Sequence, residues 1–108
     1  MKLVVAFIQP FMLGKVVAAL RQLPGFTGMT VTHAAGLGAS GSTRDDAAVH
    51  VVEDFIDLAK KTRIEVLTGD EGAVEVVQAI KAAAHTGHAG DGKVIVLSVD
   101  EVAEIRSS

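Results

Sequence analysis

Between residues 86 and 94 the chain reads Thr86-Gly87-His88-Ala89-Gly90-Asp91-Gly92-Lys93-Val94, three glycines and a lysine between a helix-like run and a strand-like run. Glycine lets backbone N–H groups turn toward an anion with no Cβ in the way, and lysine adds a mobile positive charge. The spacing of Gly87 and Gly92-Lys93 imitates a mononucleotide P-loop. A P-loop, however, follows a strand and opens a helix, and it ends in a hydroxyl residue for magnesium; here the order is reversed and Val94 takes that place. The chemistry left standing is a looser anion-binding turn. A plain helix-to-strand connector with a glycine cap is the ordinary alternative.

Other constellations are weaker. His85 and His88 are three residues apart, but one ends a helix-like run and the other sits in the loop, so a surface or phosphate-facing role is favoured over a metal site. His33 and His50 have no ligand partner nearby in sequence. Asp45-Asp46 and Glu53-Asp54 read as solvated faces. No nucleophile and base stand in a recognisable setting, so the expectation is a protein that is not an enzyme and carries no obligatory cofactor or metal.

The elements that must position the loop follow from hydrophobic spacing. Leu3 to Ile8 is a short apolar, β-branched run stopped by Pro10, which reads as a buried strand. From Phe11, the positions Leu13, Val16, Val17 and Leu20 repeat at helical spacing and end near Pro24-Gly25. A second strand lies between Thr27 and Leu37. Gly38 to Thr43 is small and polar, and beyond it Ala48, Val52, Phe55, Ile56 and Ala59 share a helical face, with Thr43 and Asp46 as candidate caps. Arg63 to Leu67 is a third strand. Val74, Val77, Ile80 and Ala84 mark a helix opened by Gly69-Asp70-Glu71, and Lys93 to Val99 a fourth strand. Val102 to Arg106 alternates enough for a further extended piece. The order gives an α+β, ferredoxin-like βαββαβ fold with a four-stranded antiparallel sheet and both helices on one face. Such a sheet leaves its other face bare, and strands apolar on both sides predict self-association.

With 108 residues and 49% hydrophobic content, the chain forms one domain with a single core. A formal net charge of −3 argues against nucleic acid as a partner. Cysteine is absent, which removes disulfides and thiolate metal sites. No run approaches a membrane span, and Met1 to Val5 lacks the features of a signal peptide, so a cytoplasmic protein without direct membrane insertion is expected.

Several segments resemble the P-II nitrogen-regulatory signalling family. They are Gln9-Pro10-Phe11; Thr27-Gly28-Met29-Thr30-Val31-Thr32 leading to Gly36-Leu37-Gly38; Arg63-Ile64-Glu65-Val66; and the Thr86 to Lys93 string with the strand after it, about two thirds of the chain. The resemblance implies a homotrimer that binds ADP, AMP or ATP in clefts between subunits. By position it implies that Thr30 and the backbone at Leu67 meet the adenine, with Phe7 helping to wall the pocket and Glu65 holding the ribose. Gly38, Gly87, Gly90, Gly92, Lys93 and Arg106 would then surround the phosphates, with Gly36, Thr86 and Asp91 among the further nucleotide-binding residues. Residues 38–62 take the place of the family's T-loop, the arm that docks on a target protein such as a transporter or an enzyme.

The departures matter as much. Ala39 and Ser40 stand where the family commonly has Arg and Gln, and Glu104 replaces the first of two arginines spaced two apart, leaving Arg106. Residues two apart on an extended segment share a face, so Glu104 would weaken binding of the more highly charged phosphate tails. Ser40 puts 2-oxoglutarate sensing in doubt, although Lys61 matches the family's acid-binding lysine; bicarbonate or another small anion is left open. The resemblance therefore implies an adenine-nucleotide sensor that controls an unidentified partner. A regulator tied to a transporter, metal-efflux or carbon-fixation system is an alternative, and the sequence does not choose among these systems. A metal-tolerance trimer of the CutA type is the other alternative.

Overall fold

The computed structural model describes residues 1–36 and 59–106. β1 (Lys2–Ile8) leads through a 3-10 turn, Pro10–Met12, into α1 (Leu13–Arg21), then β2 (Thr30–Gly36). β3 (Ala59–Thr68), α2 (Gly72–Ala84) and β4 (Gly92–Ser98) follow. The sheet order is β2-β3-β1-β4 with every neighbouring pair antiparallel, the ferredoxin-like arrangement.

Alternation along the strands divides the sheet into two faces. Val4, Ala6 and Ile8 of β1 and Ile64 and Val66 of β3 form the core with Val16 and Leu20 of α1 and Ala73, Val76, Ile80 and Ala84 of α2. At roughly 25 cal/mol per Å² of apolar surface, this layer is the main source of stability. On the opposite face, Leu67, Ile95 and Leu97 are exposed, an uncovered apolar strip.

Three sequence expectations are corrected. Val74 is 61% exposed, and Ala73 and Val76 take the buried positions instead. β3 begins at Ala59, so residues 59–62 belong to the sheet and not to the excursion or to the helix expected to include Ala59. Pairing with β2 decides this: Gly36 faces Ala59 and His33 faces Thr62, a ladder that a local periodicity cannot reveal. Residues 99–106 form no strand; only the Val99 N–H, donating to the Met1 carbonyl at 3.1 Å, continues the pairing past β4. The helix expected over residues 43–58 lies outside the described residues.

Candidate functional site

α2 ends at Ala84, and its cap residue His85 already has an extended ψ of 125°. The chain must then reverse into β4. Asp91 organises that reversal. Its Oδ2 accepts the Thr86 N–H at 2.8 Å and the Gly87 N–H at 3.2 Å, and its Oδ1 accepts the Thr86 hydroxyl. The Thr86 hydroxyl oxygen in turn accepts the His88 N–H at 3.2 Å, and His85 Nδ1 lies 3.6 Å from Asp91 Oδ2. The Thr86 hydroxyl bond, followed by the Thr86 N–H, Gly87 N–H and the His85 charge, holds the Asp91 carboxyl below its ordinary value of 3.8. A depressed carboxylate contributes order above its unfolded pKa and loses it as pH falls through the folded one. The loop is therefore expected to stay closed at pH 5 to 8 (about the usual range of maximal stability) and to open below the ordinary value. Amide shifts of Thr86 and Gly87 followed by NMR through an acid titration check this; a transition near neutrality would contradict it.

A second set of bonds ties the loop to the sheet. The Gly90 carbonyl, at a φ of +88° that glycine adopts without strain, accepts Gln9 Nε2 at 2.7 Å and Lys61 Nζ. Gly92 and Lys93 open β4, where Lys93 lies beside Phe7 and Phe7 beside Arg63. The Arg63 guanidinium stands 5.6 Å from the centre of the Phe7 ring and bonds Glu65 at 3.3 Å. Lys61 and Lys93 thus bring two cations to a loop within a protein of net negative charge. Against the same loop lies a cavity of about 420 Å³ lined by Phe7, Ile8, Val77, Ile80, Ala84 and Val94, with Lys81, His85, Asp91, Gly92 and Lys93. An apolar floor beside convergent charged groups suits a ligand with one planar or apolar end and one anionic end.

The expected site residues fall into two groups. Phe7, Thr86, Gly87, Gly90, Asp91, Gly92 and Lys93 come together, joined by Lys61, whereas Thr30, Glu65 and Leu67 occupy the other half of the sheet. β2 and β4 are its opposite edges, so Thr30 and Lys93 are separated by three strand spacings, about 14 Å. Gly36 ends β2 and Arg106 is exposed on the tail. Gly38 and Ser40 lie outside the described residues. Gln9 as a loop tie, Arg63 as the partner of Phe7 and Glu65, and Lys81 at the cavity rim carried no local signal in the sequence.

The chain matches the family model described as Nitrogen regulatory protein P-II over residues 1–108. The chain belongs to the P-II family. The Nitrogen regulatory protein P-II of Rhizobium meliloti (strain 1021) is 43% identical over 108 residues, covering 99% of this chain and 93% of that protein. The protein of the same name from Azospirillum brasilense is 42% identical with the same coverage. Nitrogen regulatory protein P-II 2 of Methanothermobacter thermautotrophicus is also 42% identical, with 99% and 90% covered. P-II proteins are signal-transduction regulators rather than catalysts, and nucleotide binding is typical of them. Among the described residues no group of three or more His, Asp or Glu is placed to hold a metal ion, and no helix is long and apolar enough to cross a membrane.

Proposed function

We propose that this P-II protein is a sensor of ADP, AMP and ATP that binds the nucleotide between copies of itself and controls a target protein through the excursion from residue 38 to the start of β3 at Ala59. The observation that carries the reading is the separation of Thr30, on edge strand β2, from the Thr86 to Lys93 loop, which leads into the opposite edge strand β4. The loop from Thr86 to Lys93, with Phe7, lies toward the β4 side, while Thr30, Glu65 and Leu67 lie toward β2. A second copy offering its β2 side to the first copy's loop completes an adenine, ribose and phosphate set that one chain holds apart. The uncovered strip of Leu67, Ile95 and Leu97 gives such copies a reason to associate, and a homotrimer closes the arrangement. Control of the target requires that nucleotide bind two states of the arm with different affinity.

Glu104, a carboxylate two residues before Arg106 where the family commonly has a second arginine, sets the expected preference. ADP or AMP should bind at least as tightly as ATP, and 2-oxoglutarate should not sharpen ATP binding. Glu104→Arg should move preference toward ATP, more so at low salt, because the added attraction grows with phosphate charge and is screened by ions. Calorimetric titrations of wild type and variant with the three nucleotides at two ionic strengths test this, with light scattering for the trimer. A monomer in solution, or no nucleotide binding, would overturn the reading.

A further inference from the structure

The loop between α2 and β4 contains an apparent contradiction, an aspartate in a turn rich in glycine and flanked by cations. Asp91 spends its carboxylate within the loop. It takes the N–H groups of Thr86 and Gly87 and the Thr86 hydroxyl, and its side chain is 24% exposed. Two of the N–H groups that a glycine-rich loop would offer to an anion are thereby already occupied. Among the described residues, the N–H groups of Ala89, Gly90 and Asp91 carry no hydrogen bond, and Lys93 follows at once as the second residue of β4. The bond pattern separates the string into a closed half, residues 86 and 87, and an open half, residues 89 to 93.

We propose that Asp91 is a positioning residue and not a nucleotide ligand: by pinning Thr86 and Gly87 it holds residues 89 to 93 in the shape that receives phosphate. Thr86 is its partner in this task, and Thr86 and Gly87 likewise do not touch the ligand. The proposal rests on the nucleotide-binding reading and assigns the parts of that site. The physical logic is preorganisation. Without the clamp, the glycine-rich loop would lose conformational entropy on binding that it has now already lost on folding.

Sign separates this role from the simpler ones. If Asp91 were a bystander near the phosphates, Asp91→Asn would remove a like charge and tighten ADP binding. A clamp gives the reverse, because an amide cannot accept the same set of bonds: ADP binding should weaken roughly tenfold, the size of one lost charge-assisted hydrogen bond. Thr86→Ser, which keeps the hydroxyl, should bind ADP like wild type. Thr86→Val should resemble Asp91→Asn, and the double variant should be no weaker than either single one. In the ligand-free protein, amide exchange at Thr86 and Gly87 should accelerate in Asp91→Asn and Thr86→Val but not in Thr86→Ser. Unchanged or tighter ADP binding by Asp91→Asn, or unchanged exchange at Thr86 and Gly87, would overturn the proposal. Wild-type protein that binds no ADP would bring down the functional reading, whereas the exchange measurement, which uses no ligand, judges the clamp by itself.

Discussion

Gly92→Ala is expected to destabilise the protein by about 3 kcal/mol or more, the largest effect of any single methyl group in the loop. An alanine Cβ at this position would sit 1.7 Å from the Phe7 carbonyl oxygen, inside the pairing of β1 with β4, and the backbone φ of +119° is one that side chains resist. The obstacle is backbone, so no rotamer change relieves it; the two strands must separate at Gly92, where β4 begins. Gly87→Ala makes the comparison. There φ is +85° but nothing lies within 4 Å of the added methyl, so only the left-handed conformation costs energy, roughly 1–2 kcal/mol. Urea unfolding of the two variants gives both numbers. Equal stabilities would mean that β1 and β4 do not approach as described.

Lys93→Ala is expected to weaken ADP binding by roughly 1–3 kcal/mol, the usual cost of losing a charged hydrogen-bonding partner. The fold should survive, because Lys93 is exposed at the first turn of pairing in β4 and contributes nothing to the core. Calorimetry on a variant shown by circular dichroism to be folded decides the matter. Unchanged affinity would remove the loop from Ala89 to Lys93 as the phosphate seat.

Most of the elements that hold these residues were legible from spacing alone. The apolar run from Leu3 to Ile8 and the helical repeat of Val16 and Leu20 mark β1 and α1 because their burial has one period each. α2 shows the limit of such reasoning. Val74 fits a helical period as well as Ala73 and Val76 do, and only the packing against β1 and α1 buries the latter two, with Val77 partly buried at the core's margin and Val74 left exposed. The start of β3 was hidden for another reason: Ala59, Lys60 and Lys61 carry no strand pattern of their own and are extended because β2 pairs with them. At the candidate site, the glycine and lysine pattern exposed the loop, since anion binding is local backbone chemistry. The ties of Gly90 to Gln9 and Lys61 cross 81 and 29 residues and leave no local trace.

The central place of β1 also bears on how the chain acquires its structure. β1 is synthesised before both of its neighbours, yet it pairs with Thr62–Thr68 on one side and Gly92–Ser98 on the other. Its second partner emerges some ninety residues later by that register, so the seven-residue apolar segment Lys2–Ile8 waits without its full ladder while the rest is made. Long-range pairings of this kind slow folding, because the chain loses entropy before the contacts reward it. An unpaired β-rich segment is also the part of a nascent chain most prone to self-aggregate, which makes translation speed and chaperone supply conditions on the yield of this protein.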